Sequence, residues 1–341
     1  MSDGAPGGRD ISIWWWAFGY FASYVPYGAL TKAVSEGALP GMTGRVDGFV
    51  LLPGNAIACL VTSMAFLLGT GWWHAASAVT VRGVSFPVPT RWSALSGLCA
   101  ATITVSTTLA YTFEGTSIVL MMLLMRGLVL ALAPIVDLLS RRQVRGRAWV
   151  ALGLSFAALA GAFRARGSLT LSAPAIVCLA LYTGAYFLRL RVMSHAAKTE
   201  HGGDNRRFFV EEQLVCAPAV LAVLCAWALS GLGSHAGALR EGFGDFLLGP
   251  IGWVALVAGV CSQGTGIFGS LVLLDRRENS FCIPVNRASS VLAGVAASGL
   301  LALLLPAMRA PARAELVGAA LMIAALVVLV LPLSPAERRT K

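Results

Sequence analysis

Ten stretches of apolar residues, each near the length that crosses a bilayer, constrain this chain more than any other feature. About 20 apolar residues in helical form span the hydrocarbon core, where only helices or closed barrels satisfy the backbone. The stretches run Ile11 to Val34, Gly48 to Trp73, Ser93 to Phe113, Thr116 to Leu139, Ala148 to Phe163, Ala173 to Met193, Phe208 to Leu232, Phe246 to Leu274, Ser280 to Leu304 and Glu315 to Leu333. They predict an all-α polytopic membrane protein, ten transmembrane helices in one membrane domain. Charged residues make up 12% of the 341, against about 25% in soluble domains, which excludes an ordinary soluble fold. Only Arg9 precedes the first stretch, beside the acids Asp3 and Asp10, and the stretch outruns a signal-peptide core, so it reads as a membrane helix.

The net charge of +10 lies in short loops between apolar spans, which argues for membrane topology and against nucleic acid. With both termini in the cytoplasm, the inner side collects 17 lysines and arginines and the outer side 7. That bias places both ends inside an inner (cytoplasmic) or plasma membrane. Trp14, Trp15, Trp16, Trp72, Trp73, Trp92 and Trp149 then fall at the inner headgroup layer as an aromatic belt. The seven cysteines contain no CxxC pair and lie in or beside apolar spans, so neither a disulfide nor a metal site is expected.

The chain also resembles itself. At an offset of 161, Trp92 falls on Trp253, Ala94 on Ala255, Leu95 on Leu256, Thr104 on Thr265, Glu114 on Asp275 and Arg126 on Arg287. This pattern predicts two five-helix repeats, residues 11–163 and 173–333. Five is odd, so the second repeat enters the membrane inverted, an arrangement that places binding sites at the repeat interface near the midplane. Gly153, Ala157 and Gly161 recur every four residues on the fifth span, a pattern for close helix packing.

Arg126 and Arg287 sit inside apolar helices, where a guanidinium costs roughly 2.5 to 3.5 kcal/mol. Inverted symmetry lets both point into one cavity and bind a carboxylate or phosphate with their planar forks; the alternative is that each holds helices together. Pro134 and Pro284 share those helices and mark breaks that membranes tolerate beside protein or a cavity. Thr104, Thr108 and Tyr111 form a polar stripe on the third span, Gln263 lies on the eighth, and Asn286 adjoins Arg287; these complete the candidate substrate-binding set. Asp137, eleven residues after Arg126, is a candidate gate, and Glu114 and Asp275, in the turns before the arginine helices, cap those helices or couple transport to protons. No intramembrane Ser/His pair, DxxxD cluster, GxxxxGK[ST] loop or HExxH occurs, so no enzyme activity, catalytic residue, cofactor or metal is expected.

The segments YVPYGALTK (Tyr24 to Lys32) and TSIVLMMLLMRGLVLALAPIVDLLSRRQVRGRAWVALGLSFAALAGAF (Thr116 to Phe163), with weaker matches in VNRASSVLAGVAASGLL and ELVGAALMIAALVVLVL, resemble the EamA-like ten-helix members of the drug/metabolite transporter superfamily. The glutamate that usually follows the fourth helix in that group is replaced by Arg141 and Arg142. The resemblance implies a 5+5 inverted repeat, cytoplasmic termini and alternating access. It points to a secondary transporter of a small anionic metabolite, in contact with substrate and bilayer, with homodimerisation left open. The rival expectations are a broad exporter of neutral or cationic compounds with structural arginines, and a non-transporting lipid-modifying enzyme or scaffold.

Overall fold

The computed structural model describes residues 13–42, 44–81, 84–112, 118–139, 149–150, 153–154, 156–158, 160–161, 172–197, 202–275, 279–305, 308 and 310–330. Apolar helices dominate: α1 (Ile13–Ser35), α2 (Gly48–Gly69), α3 (Arg91–Thr112), α4 (Ile118–Leu139), α5 (Ala173–Ala196), α6 (Gly202–Ser230), α9 (Gly252–Leu274), α10 (Asn279–Leu304) and α11 (Arg313–Val330). Between α6 and α9 lie the short α7 (His235–Phe243) and α8 (Asp245–Leu248). Among the described residues, six helices are long and apolar enough to cross a membrane by length and composition. The fold is therefore all-α and polytopic, apart from one short hairpin. The expected fifth span is described only in part, at 149–150, 153–154, 156–158 and 160–161, and those residues are helical.

Local chemistry sets the helix ends. The Asp47 carboxylate accepts from Phe49 N at 2.7 Å and starts α2; Ser172 caps α5, with Pro174 in its first turn. The expected eighth span begins six residues late, at Gly252, because Gly249 and Pro250 interrupt the helix and leave α8 separate. Conversely, α6 begins at Gly202 rather than Phe208, and Asn205 Nδ2 donates to Leu274 O at 2.9 Å, tying its first turns to the end of α9.

The loop between the second and third spans holds an unexpected antiparallel hairpin, β1 (Ala78–Val81) with β2 (Val84–Pro87), paired Val79 with Phe86 and Thr80 with Ser85. Its strands carry β-branched and aromatic residues across a two-residue connection that contains Gly83, a hairpin signal overlooked in a chain dominated by apolar spans.

Helix packing follows a regular scheme. α1 lies on α9 and α10, α3 on α5 and α6, α2 on α6 and α9, and α4 on α5 and α10. Exchanging α1 with α5, α2 with α6, α3 with α9 and α4 with α10 returns this set of pairs. Of these exchanged helices, α9 begins at Gly252, 161 positions after α3 at Arg91. Contacts across the scheme are close. A Cβ added at Gly97 would lie 2.7 Å from Val215 Cβ and 2.9 Å from Glu212 O, and one at Gly54 would lie 2.9 Å from Ala255 Cβ.

The close packing expected of Gly153, Ala157 and Gly161 is not made with the described part of the chain. All three are exposed, and a Cβ at Gly153 or Gly161 meets nothing within 4 Å.

Gly97→Ala and Gly184→Ala test these contacts, because both replace a helical glycine and only the first is crowded. Intrinsic propensity favours each alanine by up to about 1 kcal/mol. We expect Gly184→Ala to melt at or above wild type, and Gly97→Ala to lose about 1–3 kcal/mol through overpacking, read as an earlier thermal transition in detergent.

Candidate functional site

The helices bring Arg126 and Arg287 together. Arg126, on α4, is 2% exposed and donates through Nη1 to Tyr182 Oη on α5 and through Nη2 to Tyr24 Oη on α1. Arg287, on α10, is 1% exposed and donates to the same Tyr182 Oη and to Tyr186 Oη, each at 3.0 Å. One tyrosine hydroxyl thus accepts from two guanidiniums. The rings add cation–π contacts: Arg287 lies 4.6 Å from the Tyr186 centroid, and Arg126 lies 5.3 Å and 5.4 Å from those of Tyr24 and Tyr182.

Among the described residues no carboxylate contacts either guanidinium, and the Nε of each is buried without a hydrogen-bond partner. An orphaned buried donor costs about 1–3 kcal/mol, and more when charged. Eleven residues along α4 put the backbone of Asp137 about 16 Å from that of Arg126 at 1.5 Å per residue. The side chains of Asp137, Pro134 and Pro284 and the whole of Glu114 lie outside the described residues, and Asp275 caps the end of α9.

The remaining sequence candidates divide between the cluster and its surroundings. Tyr111 Oη is 2.7 Å from Tyr24 Oη, so it supports a tyrosine that holds Arg126, while Thr108 Oγ1 is 2.8 Å from the neighbouring Tyr27 Oη. Thr104, Gln263 and Asn286 line a cavity of about 70 Å³ with Tyr20, Tyr24, Arg126 and Arg189. Gln263 Nε2 donates to Gln213 Oε1 at 2.7 Å. Asn286 Nδ2 donates to Gly269 O at 3.2 Å, while its Oδ1 is buried and unpartnered.

Two features escape the sequence reading. Tyr20 and Tyr24 are four apart on α1, as are Tyr182 and Tyr186 on α5, and the pairs are 162 positions apart; a gapless comparison at 161 passes over them. Each arginine meets the second tyrosine of the pair in its own half, Arg126 with Tyr24 and Arg287 with Tyr186. The second feature corrects the charge count, in which Arg189 stands among the 17 inner-loop cations. It is instead 5% exposed and bidentate on Glu212, with Nε to Oε1 at 2.8 Å and Nη2 to Oε2 at 2.7 Å. Ser96 Oγ also donates to Glu212, and Arg189 Nη2 reaches Ser270 Oγ at 2.8 Å, joining α3, α5, α6 and α9. The neighbouring Glu211 is structural: it accepts from Ser77 N and Oγ, Thr90 N and Ser93 Oγ, clamping both ends of the hairpin segment.

Elsewhere, Lys32 of the first-helix motif pairs with Glu36 at 2.8 Å, and Arg45 joins that glutamate at 2.9 Å. A larger cavity of about 1050 Å³ lies between α2, α3, α5 and α6, walled by apolar side chains such as Leu52, Leu109, Leu181 and Trp227.

Glu212→Gln leaves Arg189 buried without its counter-charge, and we expect a loss of about 3–5 kcal/mol in unfolding free energy. Arg189→Met with Glu212→Leu removes both charges and should recover most of that loss; a full double-mutant cycle by thermal unfolding measures the coupling. No protein-family model and no curated protein matches the chain. A solved structure described as "Crystal structure of protein" is similar at 17% identity over 96% of this chain and 100% of that one, with a TM-score of 0.49, too low to support a fold assignment.

Proposed function

We propose that this chain is a secondary transporter of a small anionic metabolite, working by alternating access between two inverted five-helix halves. The single observation that carries the reading is the pair of buried guanidiniums, bridged by Tyr182, with no carboxylate on either among the described residues and an open donor on each. A scaffold arginine in a membrane finds an acid, as Arg189 finds Glu212. Two cations left without one form a destabilised site, the kind kept for a ligand rather than for stability.

The exchange symmetry of the helix pairs, the offset of 161 between the starts of α3 and α9 and the matched tyrosine pairs support the 5+5 inverted repeat. Repeat interfaces near the midplane are where such transporters bind substrate. The resemblance to drug/metabolite transporters, the cytoplasmic termini and the absence of enzymatic chemistry belong to the same proposal. Rocking would separate the halves on one side of the cluster and then on the other. Asn286, Thr104 and Gln263 would offer neutral polar contacts to the rest of the substrate, with Thr108 and Tyr111 behind them.

The broad-exporter reading draws on the apolar cavity of about 1050 Å³, which suits neutral or cationic amphiphiles. In that case the arginines are scaffolding.

Thermal shifts of the purified protein, over a panel of carboxylates, phosphates, amino acids and organic cations, separate the two. A ligand that binds only the folded state stabilises by about 2.7 kcal/mol at a hundredfold excess over Kd. We expect anions to stabilise wild type, and Arg126→Gln and Arg287→Gln to melt at or above wild type yet lose the anion shift. Early melting of both variants, with shifts from neutral or cationic compounds alone, rejects the anion reading. Counterflow of the same anions in sealed proteoliposomes then distinguishes transport from binding alone.

A further inference from the structure

The charge balance around the central cavity extends the anion reading, on which it rests, to the valence of the ligand. Arg126 and Arg189 line the cavity, and Arg287 joins Arg126 at Tyr182 Oη. The one buried carboxylate that touches any of these three among the described residues is Glu212, held by both oxygens on Arg189. Glu211 is fully engaged by Ser77, Thr90 and Ser93. Among the described residues, three arginines against one glutamate leave two formal positive charges without counter-charge, carried by Arg126 and Arg287.

Those two charges are also adjacent. Because both guanidiniums donate to one hydroxyl oxygen, they lie two hydrogen bonds apart, and Tyr182 Oη occupies the bridging position that an anionic oxygen would take. Each guanidinium keeps an unpartnered Nε, and Asn286, beside Arg287 in sequence, lines the cavity with an unpartnered acceptor. We propose that the site selects compact dianions, a phosphate monoester or short dicarboxylate, over monoanions and zwitterions. A monoanion leaves one guanidinium uncompensated in a low-dielectric interior. A zwitterion brings an ammonium into a site whose nearest carboxylate is committed to Arg189. A hydroxyl on the dianion would meet the open Asn286 oxygen.

The test is thermal shift of the full-length protein in detergent, at constant ionic strength, with matched probes. These are acetate against malonate, glycerol phosphate at about pH 5 against about pH 7.5, spanning the second phosphate ionisation near pH 6, and sulfate at both pH values to report titration of the protein itself. We expect malonate to bind about tenfold or more tighter than acetate, a difference of about 1.4 kcal/mol. Glycerol phosphate should gain affinity as pH rises while sulfate stays flat. Arg126→Gln and, independently, Arg287→Gln should erase the dianion preference, because each leaves a single open charge.

If acetate matches malonate and phosphate affinity ignores its ionisation, the dianion inference is overturned while the anion reading stands. If no anion shifts the protein, both fall. Lysophosphatidate mixed into the micelle offers the same phosphate chemistry on a lipid; stabilisation by it and not by glycerol phosphate would keep the dianion and assign it to a lipid headgroup.

Discussion

The hydroxyl of Tyr182 accepts from Arg126 and Arg287 at once, and the rest of the interior is arranged around that shared acceptor. It draws together α4, α5 and α10, and through Tyr24 it reaches α1. Four helices from both halves of the chain therefore converge on two like charges. Like charges this close repel strongly where the dielectric is low. Tyrosine hydroxyls and ring faces spread that repulsion. Around those four helices, Gly54 and Gly259 let α2 and α9 pack closely and Gly97 does the same for α3 and α6.

Arg189 and Glu212 show how the same fold treats a charge it means to keep. The pair is bidentate, buried and supported by Ser96 and Ser270. Burial without partners is costly, and burial with complete partners is tolerated. The contrast between the satisfied Arg189 and the unsatisfied Arg126 and Arg287 gives the anion reading its force. The large cavity between α2, α3, α5 and α6 is walled by apolar side chains such as Leu109, Cys178 and Leu181, in contrast to the small cavity that Arg126 and Arg189 line.

Much of the fold is legible in the sequence because membrane helices obey a simple rule: about 20 apolar residues make a span. The boundaries of α1, α4, α5 and α10 follow from it within a few residues. The rule fails where polar chemistry decides. Gly249 and Pro250 cut the eighth span, and the strands at Ala78–Val81 and Val84–Pro87 carry too few residues to stand out against their apolar neighbours. Arg189 misled in the opposite sense, because a cation near a helix end reads as a loop charge until its partner on another helix is seen.

The sequence by itself determined that the chain is a polytopic helical protein with an arginine buried in each half, since hydrophobicity and the insertion cost of a guanidinium act locally along the chain. Only the tertiary structure decided that the two arginines share one hydroxyl, that tyrosines rather than acids receive them, and that Arg189 is neutralised by Glu212. Those facts depend on which helices lie side by side, a property of packing between segments 23 to 105 residues apart that no local pattern encodes.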